Sequence, residues 1–290
     1  MYLDIIGYVN QKYIFVEIQK MLKITDKDYF LPTIEALNGI RLLGTGTTQP
    51  MLIRGICTKT YEKSDYVVKY CNAPRMSIES SARELIAAFI ARELELNVVE
   101  PAIINVSNDF VDTLRGNEGF KSASNSVGIN FGCKFVTGMM EFLKNQQLSE
   151  KQFGEAERIF ALDVFISNAD RRKDKQNMLT DGEKVLIFDH ELAFGFVLDI
   201  IKNKTPWIIS ESDKTWIKNH YFYPSLKEND HNFDKFVDSF KVLDENFWVK
   251  SDVLMPSAWK STQLDEIKSN LTSLVANKEI FLEQLCKVLS

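Results

Sequence analysis

The stretch 162–194, LDVFISNADRRKDKQNMLTDGEKVLIFDHELAF, constrains the fold most. A helical run ends at Ser167 and Asn168, two residue types that favour leaving a helix, and a polar, highly charged loop follows from Asp170 to Gln176. Asn177-Met-Leu-Thr and the segment 184–189 both read as short strands, with Asp181-Gly182 as the tight-turn signal between them. A turn centred near Gly182 and Glu183 leaves Asn177 and Asp189 about equally far from it, so their side chains can sit opposite each other at the open end. Two oxygen donors placed this way can hold a hard cation and leave coordination positions for phosphate and water. Asp170, Asn177 and Asp189 together therefore suit the handling of a metal-bound nucleotide.

Bulk properties limit what can surround these groups. A chain of 290 residues buries a sizeable core and suits one two-lobed domain or two small ones. With 35 basic and 40 acidic residues and no block of like charge, duplex nucleic acid is not an expected partner, since backbone affinity needs clustered Lys and Arg. Cys57, Cys71, Cys133 and Cys286 form no CxxC pair and read as reduced thiols in a cytoplasmic protein. The N-terminus carries Asp4 and lacks the basic and apolar regions of a signal peptide. No window reaches the apolar length of a membrane span, so no membrane is expected.

Residues 1–24 mix aromatic, β-branched and charged side chains and read as a strand followed by a short helix. Ile40, Leu42 and Leu43 then lead into Gly44, Thr45, Gly46, Thr47, Thr48 and Gln49, and Met51, Leu52 and Ile53 lead out. Strand, glycine turn, strand is the plain reading. Such a turn can lie over phosphates because glycine lets backbone N–H groups approach, and it can equally be an ordinary hairpin. The absence of GxxxxGK[ST] excludes a Walker-type loop.

Tyr66-Val-Val-Lys69-Tyr70 reads as a strand with Val67 and Lys69 on one face. Lys69 can reach nucleotide phosphates, or solvate a sheet edge. A break at Asn72-Ala-Pro74 precedes a long helical pattern, SIESSARELIAAFIARELEL. Within it Glu84 can pair with Lys69. The competing reading is a Ser81-x-x-Glu84 capping box, whereas a start at Ser77 or Ser80 would leave Glu84 on an interior turn.

After Pro101 the run Ala102-Ile-Ile-Asn-Val106 reads as a strand, and the polar, glycine-rich residues 107–138 read as a loop or hinge between two lobes. A helix with Ser149 as N-cap delivers the chain to the opening stretch. Beyond Phe194 the pattern is mostly helical and closes in an amphipathic run over 264–289. In the charged loop, Arg171 can brace the loop or contact phosphate, Lys175 reads as a solvated lysine, and His190 reads as a packed core group or a support for Asp189.

A glycine turn, a strand lysine, a helix glutamate, a hinge, an apolar helix, then Asp, Asn and Asp is the order of parts in a protein-kinase-like architecture. HRD, DFG and APE are missing, and the step from Asp170 to Asn177 is longer than in HRDxxxxN. Asn168-Ala-Asp170-Arg171, Asn177-Met-Leu and Ile187-Phe-Asp189-His190 closely resemble the HipA-like kinase family. GTGTTQPMLIRG, YVVKY, RELIAAFIARELEL and GINFGCKF resemble its nucleotide-loop, lysine, helix and interlobe segments, so the likeness runs roughly over 38–195.

The resemblance implies an α+β, two-lobed protein-kinase-like fold with a β-rich N-lobe and a mostly helical C-lobe. The division is an unassigned extension over 1–37, an N-lobe with nucleotide loop and hinge over 38–138, and a helical C-lobe over 139–290. It implies ATP and Mg²⁺ as cofactors. Catalytic roles fall to Asp170, Lys69 and Glu84, nucleotide contacts to residues 44–49 and Lys69, and metal ligation to Asn177 and Asp189. The implied reaction is phosphorylation of a Ser or Thr hydroxyl on a protein substrate. A small-molecule or lipid head-group kinase, and a catalytically weak pseudokinase binding nucleotide or a partner, stand as alternatives. Full HipA toxins carry an additional N-terminal segment not recognisable here, so an antitoxin-type partner does not follow from the likeness.

Overall fold

The computed structural model describes residues 21–43, 48–74, 76–144 and 146–290. Most of the strand and helix expected over 1–24, together with Gly44, Thr45, Gly46 and Thr47 of the glycine turn, lies outside the described residues. The fold is mixed α+β, with a β-rich N-terminal part and a helical C-terminal part.

Strands β1 (Thr33–Leu42), β2 (Met51–Cys57), β3 (Lys63–Lys69), β4 (Pro101–Val106) and β5 (Gly128–Lys134) form a closed barrel in the order β1-β2-β3-β5-β4. Parallel pairing of β1 with β4 closes it, and two irregularities in the β1/β2 register help the strand bend. Alternation places Ile34, Ile53, Tyr66, Val68 and Ile104 in the barrel core. β1 runs across position 38, where the sequence divides an extension from the N-lobe.

Residues 107–138 are more ordered than their composition suggests. They contain helices α2 (Asn108–Thr113) and α3 (Phe120–Ser124), with α1 (Ile78–Glu93) preceding them in the chain, and then strand β5. The two helices bury few side chains, chiefly Phe110, Val111, Ser122 and Ala123, so their sequence looks like loop. In β5 a glycine counted toward the loop or hinge reading serves packing. A Cβ on Gly132 would lie 2.4 Å from Ile104 Cγ1 and 2.6 Å from the Val67 carbonyl oxygen. Asn130 fits the strand because its amide donates to the Ser126 and Gly128 carbonyls and its oxygen accepts from the Cys71 N–H.

Beyond the barrel, β6 (Met140–Glu141) pairs with the hairpin of β7 (Met178–Thr180) and β8 (Val185–Ile187). Helix α4 (Glu150–Phe165) begins at Ser149, which shares a capping box with Gln152. Helices α5 (Glu211–Asn219), α6 (Tyr223–Glu228), α7 (Asp234–Ser239), α8 (Glu245–Leu254), α9 (Thr262–Ala276) and α10 (Lys278–Leu289) complete the C-terminal part. The amphipathic run over 264–289 is thus two helices broken at Asn277, whose side chain caps back onto the Ser273 carbonyl. Among the described residues no helix is long and apolar enough to cross a membrane.

Helix α1 is the element the two parts share. Ser77 caps it in a reciprocal box with Ser80, which removes the Ser81-x-x-Glu84 capping reading and puts Glu84 on an interior turn. Every residue from 80 to 93 is buried. One side meets β5; others meet α8, α9 and the helical turn at Ser257–Trp259. At its C-terminus Arg158 of α4 donates to the Leu94 and Glu95 carbonyls at 2.8 Å each, which satisfies oxygens the helix leaves open. The next residues dock on β8: the Ile187 N–H bonds the Asn97 carbonyl and the Val99 N–H bonds the Ile187 carbonyl. Glu84 and the hairpin are therefore held in one frame.

Two glycines test this packing. Gly132→Ala is expected to lower unfolding free energy by about 1–3 kcal/mol through overpacking. Gly154→Ala in α4, where an added Cβ meets nothing within 4 Å, should leave stability unchanged or raise it by up to about 1 kcal/mol. Denaturant unfolding of both variants checks the pair.

Candidate active site

β3 ends on Lys69, whose side chain leaves the barrel toward α1. Its Nζ donates to both Glu84 oxygens at 2.8 Å, to Asp189 Oδ1 at 2.6 Å and to Glu191 Oε2 at 3.2 Å. One ammonium thus serves three carboxylates from two distant segments. Burial disfavours the charged lysine, but the charges of Asp189, Glu84 and Glu191 outweigh it and hold Lys69 protonated well above its usual range. The carboxylates divide unequally. Burial, aided by the charges of Asp189 and Glu191, pushes Glu84 up to about 7 against the pull of Lys69. Burial would raise Asp189 as well, yet Lys69 and then Lys175 hold it below the usual carboxylate range.

The charged loop supplies the facing wall. Asp170 is buried, and its Oδ2 accepts from Lys175 Nζ and, at 3.4 Å, from Asn177 Nδ2. Lys175 Nζ also lies 3.2 Å from Asp189 Oδ2. The solvated reading of Lys175 is overturned: its ammonium bridges two of the site's carboxylates. Asn177 Nδ2 reaches the Asp189 backbone carbonyl at 3.4 Å, but Asn177 lies opposite Phe188, whose N–H bonds its carbonyl, so Asp189 stands one position beyond the pairing the sequence suggests.

The hairpin itself is shorter than expected. Met178 pairs with Ile187 and Thr180 with Val185, which leaves a four-residue loop over 181–184 where the expected strands leave three residues. Asp181 Oδ1 accepts the Glu183 and Lys184 N–H groups, and Gly182 takes φ +99°. Asn177 (φ 51°) and Asp189 (φ 60°) are left-handed and leave the ladder at its open end. Asn and Asp tolerate that region better than other non-glycine residues, so these residue types fit their backbone as well as their chemistry.

Arg171 is fully buried, which removes the phosphate-contact reading and leaves that of a brace. Nε lies 2.6 Å from Asp163 Oδ2, Nη1 donates to the Asn177 carbonyl at 2.6 Å, and Nη2 lies 3.0 Å from His190 Nε2. His190 is pushed down to about 3, first by burial and then by the Arg171 charge, and so stays neutral. Of the nucleotide-loop candidates, Thr48 is buried and Gln49 takes φ 48°; the remaining four lie outside the described residues. Glu191, Asp163 and His220 carry no sequence signal that singles them out. Glu191, two positions beyond Asp189, could have been found by following the hairpin past its last strand.

A model of the HipA-like kinase family matches residues 40–283. The chain belongs to this family. A search of curated proteins finds no match. Among solved structures it is similar to the PAN3 pseudokinase of Neurospora crassa, with 11% identity and a TM-score of 0.35 over 90% of this chain and 68% of that one. It is also similar to a Neurospora crassa complex of PAN2 (WD40-CS1) with PAN3 (pseudokinase and C-term), at 12% identity and a TM-score of 0.30 over 92% and 68%. Overlaps this low carry no argument.

The family implies ATP and a divalent metal, and the side chains suit both. Oxygens of Glu84, Asp189 and Glu191 lie within 4.8 Å of one another, and Asp170 and Asn177 adjoin them. All are hard oxygen donors, the set Mg²⁺ favours. Carboxylates outnumber the two ammonium groups, so a divalent cation would neutralise an excess that Lys69 and Lys175 leave unmatched.

The raised Glu84 value has a sign that can be checked in metal-free buffer. A carboxyl raised from 4.5 to about 7 favours folding while protonated and loses that contribution as pH climbs through this interval. Lys69, shifted up, and Asp189, shifted down, do not titrate within it. The melting temperature of Glu84→Gln relative to wild type should therefore rise from about pH 5 to about pH 8. A pH-independent difference would remove the assignment.

Proposed function

We propose that this protein is an ATP- and Mg²⁺-dependent kinase that phosphorylates a Ser or Thr hydroxyl on a protein substrate. The observation that carries the reading is Lys69 Nζ bonded at once to Glu84 and Asp189, with Asp170 and Asn177 on the opposite wall. In this reading the nucleotide lies between an N-lobe that takes in the whole of β1 from Thr33 and a C-lobe over 139–290. Residues 44–49 cover it. A cytoplasmic setting, where ATP and reduced thiols coexist, agrees with the cysteine pattern.

Each side chain then has a task. Glu84 holds the Lys69 ammonium where it neutralises phosphate oxygens. Asn177 and Asp189 would hold the metal, which when bound offsets charge on the phosphates. Asp170 orients the acceptor hydroxyl and takes its proton as the oxygen attacks the terminal phosphorus. A new O–P bond forms, the bond to the bridging oxygen breaks, and ADP leaves with that electron pair. Lys175, between Asp170 and Asp189, places a positive charge beside the group in transit and fixes the Asp170 carboxylate.

Transfer of labelled terminal phosphate from ATP to protein, with Mg²⁺, tests the reading alongside direct nucleotide binding. Asp170→Ala should cut kcat about 10²- to 10⁴-fold while nucleotide still binds. Asp189→Ala should weaken Mg²⁺-dependent nucleotide binding itself. Lys175→Met should lower kcat with little change in nucleotide KM. Wild type that binds Mg-ATP and transfers phosphate to no acceptor would instead favour a nucleotide-binding module; transfer to small hydroxyl compounds alone would move the acceptor class.

A further inference from the structure

Behind the catalytic wall lies a second charged cluster, and among the described residues it is the most completely buried polar assembly. Asp163, Asn168, Arg171, His190 and His220 come from α4, the charged loop, the segment after β8 and the segment after α5, and none is more than 1% exposed. The Asp163 carboxylate accepts from Arg171 Nε at 2.6 Å, Asn168 Nδ2 at 2.7 Å, His220 Nε2 at 3.0 Å and Arg171 Nη2 at 3.3 Å. Such a carboxylate is fully served. Burial would raise it, but Arg171 and the His220 hydrogen bond hold it well below its usual range.

Hydrogen-bond logic fixes both histidines. Arginine can only donate, so His190 Nε2 must accept from Nη2 and its ring proton sits on Nδ1. His220 Nδ1 accepts from the Phe222 N–H at 3.2 Å, which puts its proton on Nε2, pointing at Asp163. Both rings are neutral, and one carboxylate balances one guanidinium.

We propose that Arg171 is a positioning residue for the metal-binding half of the site, tying the backbones of Asp170, Asn177 and Asp189 into one unit. It precedes no gap in the chain of contacts: Asp170 is its covalent neighbour, Nη1 holds the carbonyls of Asn177 (2.6 Å) and Gln176 (3.4 Å), and Nη2 meets His190, which adjoins Asp189. Its own carbonyl accepts from the Tyr221 N–H at 2.9 Å, and Arg172 pairs with His220 as an isolated bridge, so the strand of chain after α5 straps the loop from behind. Asn177 and Asp189 both take left-handed backbone, a conformation that needs neighbours to impose it. The guanidinium fork holds Asn177 through its carbonyl and meets Asp189 through the neighbouring His190 ring. Lysine would keep the charge and lose the geometry that reaches three segments at once.

This inference rests on the kinase reading, and its test separates the two. Mn²⁺ alone, titrated by electron paramagnetic resonance without nucleotide, reports the metal-binding half directly. Folded Arg171→Lys, verified by its melting curve, should bind Mn²⁺ about 10- to 100-fold more weakly and lose kcat by a similar factor, with nucleotide KM little changed. Wild-type Mn²⁺ affinity in that folded variant overturns the proposal. Should Arg171→Lys not fold, the His190 pair decides: His190→Gln, which keeps an acceptor for Nη2, should stay near wild type, and His190→Phe should lose affinity. Equal behaviour of the pair also overturns it. If wild type itself binds no Mn²⁺, the kinase reading fails instead. Amide exchange then judges positioning: the folded Arg171→Lys variant, or His190→Phe in its place, must exchange faster across residues 177–190, and unchanged protection there overturns the role.

Discussion

One ammonium group shared by three carboxylates is the constraint on which the rest of the structure depends. Buried charges are expensive to desolvate, and the cost is recovered only when every partner is held at hydrogen-bond distance. Lys69 arrives from a barrel strand, Glu84 from a helix, Asp189 and Glu191 from the segment after a hairpin. Small relative shifts of these elements would strand a charge. The structure meets that demand by crowding α1 on several sides, capping it with Arg158 and bonding the residues after it to β8.

The two charged clusters differ in a way that separates support from chemistry. Around Asp163 the carboxylate takes four hydrogen bonds, its charge is balanced by the Arg171 guanidinium, and every member of the cluster is buried. Such a charge-balanced network rigidifies its surroundings. Around Lys69 negative charge is in excess, Glu84 sits near neutrality, and Asp189 retains partial exposure. In the proposed function, a bound cation would offset that excess. Placing the closed network directly behind the open one lets the first hold still what the second must keep available.

Much of this was legible in the sequence where local chemistry dictated it. Ser77 and Ser149 mark helix starts, Asp181-Gly182 marks a turn, and alternation in YVVK sets Lys69 on the face opposite Val68. Lys69, Glu84, Asp170, Asn177 and Asp189 do come together. What escaped detection depends on contacts distant in the chain. Glu191 meets Lys69 across 122 positions and His220 meets Asp163 across 57, and neither pairing leaves a local pattern. Lys175 looked solvated because its loop is charged throughout, and only the fold shows which lysine turns inward. β5 read as part of a loop or hinge because Gly132 is selected by the Val67 carbonyl and Ile104 on neighbouring strands, which no reading of 128–134 alone supplies.

The burial of α1 also bears on how such a site can be switched. Kinases of this general chemistry need the lysine–glutamate pair in place, and repositioning the glutamate helix is one route to control. Here that route is costly. Leu85, Phe89 and Ile90 are fully buried on the same helix as Glu84, and each large apolar side chain drawn into water costs about 1.5–3 kcal/mol. Arg83 adds a tie, since Nη1 donates to Gln263 of α9 at 3.0 Å. Swinging α1 outward would open the C-terminal packing as well as the Lys69 pair, so the helix acts as a fixed post. Adjustment of the site falls to Lys175, whose side chain is a third exposed and whose contacts can exchange without disturbing a core.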